Sequence, residues 1–419
     1  MRPLLPLRRL TRHLLTAALL LPALSQAQTA DTPPLSLPEA EKRLLDANPT
    51  ILQARAAVAG ARAGIDIAGA RPNPVVTASV TSINPARNSS GGYWERPADN
   101  VLRVDQMIER GDKRDLRLAA ADRNLAATGF DLDNTIRLAR IDLARAWVDL
   151  RAAREIRRIA DENATLARRA ADAADVRGKA GDLAGVDVAR FAADAARVAN
   201  DAVQAGLALS RARIELARLL GNRVPASTLD TTDDWPGDDA ATPAPAEAER
   251  VDILAARQRV AQAGALRELA RAQRTRDVSV GVQYEHYPPD ARNTYGFSVS
   301  IPLFLGYDYR GDIARSEADY SAAEQQLDAT RQAVSAEQAQ LQAELAAARA
   351  RHARLRDVVL PAAERAGRGA DIAIQKGGMS LTDYLDTQRN LRAARIETIQ
   401  ARADVARAAL MLRLAGATP

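Results

Sequence analysis

Any chemistry in this chain has to come from its acids. It has no cysteine and three histidines. His13 falls in a segment that reads as a leader, His286 at a strand end and His352 inside a long helical pattern. With no thiolate and no acid–histidine cluster at ligand spacing, one chain cannot build a zinc or copper site of ordinary composition. No nucleophile elbow or dinucleotide fingerprint occurs, and Lys376-Gly377-Gly378 is too short and wrongly placed for a phosphate loop. No catalytic, cofactor-binding or metal residue is therefore assigned. What remains is a repeated motif. Lys376 to Asp386 reads KGGMSLTDYLD, and Lys179 to Arg190 reads KAGDLAGVDVAR. Aligning Gly181 with Gly377 places Asp187 on Asp383, so each copy is Gly, five residues, Asp. Acids gathered around an opening raise one another's pKa and attract cations. Acids in the first turn of a helix also simply cap it, and the two roles are compatible. The copies differ at one charge: Arg190 stands where the second copy has Asp386.

These motifs each interrupt long helix-forming runs, so they read as tips of two helical hairpins. Upstream, residues 39–70 carry a three-four seam of Ile51, Ala54, Val58, Ala61, Ile65 and Ala68, stopped by Pro72 and Pro74. The period then becomes two. Val76, Ala78 and Val80 face one way and Thr77, Ser79 and Thr81 the other, giving a strand at about 75–83. A loop over 84–100 holds Tyr93 and Trp94, and a second strand is expected at about 101–108. From Gly111 to Val176 a seven-residue repeat of Leu118, Leu125, Leu132, Ala139, Ala146, Ala153, Ala160, Ala167 and Ala174 predicts one helix on the order of 100 Å long. Such a helix needs a long neighbour, supplied by Val188 to Leu219. Residues 222–249, with four prolines and five aspartates, form a connector.

The pattern then repeats. Ile253, Ala256, Val260 and Ala263 echo Ile51 to Ala61, and Val278, Val280 and Val282 echo Val76 to Val80, at one constant offset. Strands are expected at about 277–286 and 295–304, the latter running through Ile301 and Leu303, with Tyr287 in the loop between. Gly306 is matched to Gly111. A helical hairpin spans 311–414, with a kink at Pro361. The chain is thus a duplication of helix, strand, strand, long helix, tip, helix, mainly α with a small β part, in repeats of 28–221 and 250–419.

Residues 1–27 read as a secretory signal peptide: Arg2, Arg8, Arg9 and Arg12, an apolar run from Leu14 to Leu24, then Ser25-Gln26-Ala27. Removing those four arginines lowers the net charge from +5 to +1. The basic pI then belongs largely to the leader and gives no reason to expect nucleic acid as a partner. No cysteine is available for a lipid anchor, and no long uncharged apolar run suggests a membrane helix.

Strands of nine to eleven residues suit a tilted crossing of an outer membrane. Four cannot close a barrel, and open edges in lipid leave backbone groups unpaired. Strands in a membrane would therefore require several chains to share one barrel. Two β-hairpins packed on helices in a periplasmic protein, or a coiled-coil scaffold, also fit the pattern.

The duplicated pattern, both Gly-x5-Asp tips and Ile301-Pro302-Leu303-Phe304 resemble the TolC-type outer-membrane efflux proteins over essentially the whole mature chain. Arg71-Pro72-Asn73-Pro74 and Gln106-Met107-Ile108-Glu109-Arg110-Gly111-Asp112-Lys113-Arg114 resemble the CzcC-like branch, the outer-membrane arm of heavy-metal cation efflux, which usually has Gly where Asp112 stands. The resemblance implies a homotrimer with a twelve-stranded barrel continued by an α-helical barrel. It implies a passive duct in outer-membrane lipid, working with a periplasmic adaptor and an inner-membrane pump of the resistance-nodulation-division type, without a cofactor. It implies adaptor docking at Gly181, Leu183, Gly377, Gly378, Met379, Ser380 and Leu381. It implies a periplasmic aperture at Asp383 and Asp386, with Asp187 and Arg190 as first-half counterparts; in a trimer the first two would form a ring of six carboxylates. Drug efflux and protein secretion ducts share the fold.

Overall fold

The computed structural model describes residues 34–83, 98–232, 234–235, 250–287 and 291–415. The expected leader, the aromatics Tyr93 and Trp94, and most of the Pro/Asp-rich connector lie outside them.

The first helical segment is two helices, not one: α1 (Leu37–Ala47) and α2 (Pro49–Gly69). Proline at 49 has no N–H to continue α1. Asn48 ends one helix and starts the other. Its Oδ1 accepts from the amides of Thr50 and Ile51, and its Nδ2 donates to the carbonyl of Leu219 at 3.0 Å. β1 (Val75–Thr81) ends two residues earlier than expected, because Ser82 turns the chain with φ +59°. β2 (Asp99–Ile108) leads into α3 (Lys113–Lys179), a single 67-residue helix, about 100 Å long. Beside it lies α4 (Gly185–Leu219). The seam residues Ala139, Leu143, Ala146 and Leu150 are buried, together with Trp147, against Leu216 of α4, Leu44 and Ile51 of α1 and α2, and Leu410 near the C-terminus. Of the connector, Leu229 and Trp235 pack on this core, and Leu35 bridges to Thr231. Trp235 lies between the guanidinium groups of Arg151 and Arg402, at 5.1 and 5.3 Å.

The second repeat gives α5 (Val251–Ala272), β3 (Val278–Tyr287), β4 (Ala291–Ser300) and α6 (Arg310–Arg354). Tyr287, expected in a loop, is the last residue of β3. β4 is shifted from the expected 295–304. Pro302 has no N–H for a ladder, so Ile301 and Leu303 lie beyond the strand. The residue that matches the entry to α3 is Tyr309, not Gly306: Asp112 and Tyr309 both precede their helices in left-handed conformation, φ +55° and +65°. The distortion expected at Pro361 is a π-helical turn over Leu355–Val359, just before α7 (Leu360–Gln375), which lets the chain stay helical around a residue that cannot donate. α8 (Leu381–Ala415) closes the fold.

All four strands form one antiparallel sheet in the order β1-β2-β3-β4, with β2 and β3 joining the two repeats and β1 and β4 as edges.

Candidate functional site

The register makes the sheet two-faced. Val76, Val80, Leu102, Val104, Ile108, Val280, Val282, Tyr295, Phe297 and Val299 share one face, and all are exposed, Phe297 by 87%. The other face carries Thr77, Ser79, Thr81, Asp99, Arg103, Asp105, Gln283, Glu285, Thr294 and Ser298. On it Arg103 pairs with Asp105 at 2.7 Å and donates to Ser298 Oγ at 2.8 Å, and Gly281 leaves room for that cluster. Gln106, Asn100 and His286 lie on the first face too, yet a face this largely apolar is unstable in water and suits lipid, while the polar face suits a wet interior. Among the described residues no helix is long and apolar enough to cross a membrane; the sheet is the element with the right surface.

The motif 106–114 is the joint between sheet and helices. Lys113, 4% exposed, donates to Thr275 O and Asp277 Oδ1, both at 2.8 Å, and Asp277 also accepts the Arg110 amide. Arg114 donates to the carbonyl of Gly69 at 2.7 Å, and Arg117, held by Glu109, reaches Ala68 O. Both place a cation on the C-terminus of α2, where the carbonyls lack helical donors. Gln106 holds Pro72 O. Gly111 (φ +72°) backs onto Thr275, whose Cβ would lie 2.8 Å from an added methyl. The left-handed backbone at Asp112 explains why a relative would carry glycine there, and Asp is among the residues that tolerate it.

At the far end of the helices stand the two tips. Gly181 (φ +85°) and Gly377 (φ +71°) turn the chain in the same way. After the turn they differ. Ser380 Oγ accepts the Asp383 amide at 3.1 Å, capping the start of α8, and donates to Asp383 Oδ2 at 2.7 Å. The Asp383 carboxylate, expected at an aperture, accepts from the Ser380 hydroxyl. Asp386 pairs with Arg389 at 3.1 Å. In the first tip Ala184 has no side chain to cap α4. Asp187 instead faces Arg190 at 3.4 Å, and Arg190 also reaches Thr382 of the second tip at 3.4 Å. So Asp187, Arg190 and the start of α8 come together, while Asp386 belongs to a separate cluster.

That cluster centres on Asp194 of α4, which no motif in the sequence singles out. It is 6% exposed and accepts from Arg392 at 3.0 Å and from Arg389 at 3.4 Å. On the neighbouring side Tyr384 and Gln388 donate to Asp371 of α7, at 3.2 and 2.9 Å, and Tyr384 lies near the ring of Phe191. Burial raises the Tyr384 hydroxyl above its ordinary pKa, and the Asp371 carboxylate adds to it. Of the expected docking residues, Gly181, Gly377, Gly378 and Ser380 are exposed, but Leu183, Met379 and Leu381 are half-buried. The exposed apolar side chains around the tips are Val176, Val186 and Ile372.

A sheet with one lipid-compatible face, carried on long paired helices that end in two tips, defines an outer-membrane channel fold. The chain belongs to the outer membrane efflux protein family, whose model matches residues 41–222 and 243–417. It is 26% identical over 366 residues to the cobalt-zinc-cadmium resistance protein CzcC of Cupriavidus metallidurans, covering 87% of this chain and 85% of that one. In structure it is similar to the outer-membrane channel OprN (TM-score 0.76, 22% identity, 91% of this chain and 89% of that one). It is similar also to CusC (0.77, 17%, 90% and 91%) and to the open state of the Neisseria gonorrhoeae MtrE outer membrane channel (0.74, 18%, 90% and 88%).

Proposed function

We propose that this protein, once its signal peptide (residues 1–27) is removed, is the passive exit duct of a tripartite efflux system and conducts heavy-metal cations. The observation that carries the proposal is the two-faced sheet with two free edges. β1 and β4 run in opposite directions, so β4 of one copy can pair antiparallel with β1 of the next. Closure removes every unpaired edge, and three copies give twelve strands. The helices then form a tunnel wall in the periplasm, and the tips meet a periplasmic adaptor that links the duct to an inner-membrane pump. The likeness to CzcC supports a metal cargo.

Recovery of a heat-modifiable trimer from the detergent-extracted outer-membrane fraction is the expected result; a soluble monomer without detergent overturns the duct. Deleting the gene and comparing growth on zinc, cobalt, cadmium, copper and common drugs reads the cargo. Sensitivity to drugs alone overturns the metal assignment. For the tips, Gly377→Pro puts a ring fixed near φ −65° where the chain needs +71°. Efflux should be abolished while trimers still assemble, and normal efflux in that variant removes the tip from the mechanism.

A further inference from the structure

The apolar face of the sheet ends, on the helix side, at the paired residues Ile108 and Val278. Past this last ladder pair the two segments stay side by side, with Gly111 against Thr275 and the Arg110 amide donating to Asp277 Oδ1, which brings Arg110 alongside Arg276. Like charges placed side by side repel. Both arginines are exposed, and neither has a carboxylate partner for its side chain among the described residues. Arg276 lies on the ring of Phe304 at 5.4 Å. Arg71 is a third exposed arginine of this kind, and with Arg110 it lines a cavity of about 730 Å³ at the ends of β1 and β2.

The acids of this region are committed elsewhere. Asp277 is taken by Lys113, Glu109 by Arg117 and Asp308 by Arg310, and Asp115 stands beside Arg114. Asp112, beyond the end of β2, holds none of the three arginines. The rim is also aromatic: Phe304, Tyr307 and Tyr309 pack together, with ring centroids 5.2 and 5.6 Å apart. On β2 the apolar side chains of this face run from Leu102 to Ile108, about 20 Å along the strand and broken only by Gln106. Arg110 and Arg276, the first charges past the end of that run, stand where a lipid-facing band gives way to headgroups on the helix side.

We propose that Arg110 and Arg276, with Arg71 beside them, form a binding site for the phosphates of anionic phospholipids in the leaflet facing the helices. The inference rests on the reading of the sheet as membrane-spanning. A phosphate between the two guanidinium groups turns their repulsion into a pair of charge-assisted hydrogen bonds. The aromatic residues hold the glycerol level of the lipid, where amphipathic rings settle.

The test uses the full mature chain purified in detergent and equilibrated with lipid nanodiscs of phosphatidylethanolamine containing about a fifth cardiolipin. Native mass spectrometry counts the cardiolipin retained per chain and the oligomeric state in one spectrum. The double variant Arg110→Ala/Arg276→Ala should retain cardiolipin about thirtyfold more weakly. Arg110→Lys/Arg276→Lys should recover most of the binding, and Arg168→Ala, an exposed arginine far along α3, should leave it unchanged. Equal retention by the double alanine variant overturns the site, as does an equal loss in Arg168→Ala. Displacement of cardiolipin by excess inorganic phosphate means a free-anion site and overturns the lipid assignment. Absence of trimers in the wild-type spectrum counts against the proposed duct, while lipid retention per chain still decides this site.

Discussion

The two tips share a backbone and differ in what secures it. Gly181 and Gly377 both adopt positive φ, and Ala184 and Ser380 both stand at the start of the following helix. In the second tip a serine hydroxyl caps the helix and also donates to the aspartate three residues on. In the first the serine is an alanine, and stability comes from packing: Gly178 lies so close to Val188 that an added methyl would meet its Cγ2 at 2.6 Å. Duplication preserved the turn, which only backbone conformation dictates. The means of satisfying the helix ends was free to diverge. The first tip is thereby tied sideways, through Arg190 to Thr382, whereas the second is tied within itself.

This contrast can be broken at several points. The largest effect is expected at Asp194, which joins α4 to α8. Asp194→Ala leaves Arg392 without its buried partner and should cost about 3 kcal/mol, seen as a lower thermal midpoint and faster hydrogen exchange in both tips. If only α4 loosens, the two tips are not coupled through this residue. Next is the cap. Ser380→Ala should cost about 1 kcal/mol, and Ala184→Ser, which sets a serine three residues before Asp187, should return up to about the same amount to the first tip. Local exchange rates at the amides of Asp187 and Asp383 read both changes; no change at Asp187 in Ala184→Ser means that the first tip cannot form the cap. The smallest effect concerns pH. The raised Tyr384 hydroxyl stabilises the second tip while it stays protonated. That contribution is complete below the unfolded tyrosine value of about 10 and is lost as pH rises through the higher folded value. The second tip should loosen at alkaline pH, the first should not, and Tyr384→Phe should remove the difference.

Much of the fold is legible because it is periodic. The alternation of Val76, Ala78 and Val80 with threonine and serine is the two-faced sheet itself, and the heptads of α3 point to the buried seam. The local exceptions are harder. Asn48-Pro49 breaks a seam whose apolar spacing runs on regardless, and the π turn before Pro361 leaves no periodic trace. Periodicity alone sets β4 too late, because Ile301 and Leu303 keep the alternation past the point where Pro302 ends the ladder. Asp194 is invisible for another reason. A single acid on an alanine-rich helix looks like part of a solvated face, and its partners Arg389 and Arg392 lie 195 and 198 residues away.

Asn48 carries a consequence in time. Its amide waits for the carbonyl of Leu219, 171 residues later in the chain. The central strand pair likewise unites β2 with β3 across the two repeats. Contacts this distant form slowly and only after the intervening chain is present. A chain emerging from its N-terminus would therefore hold its first helices unfinished until more than half its length has arrived.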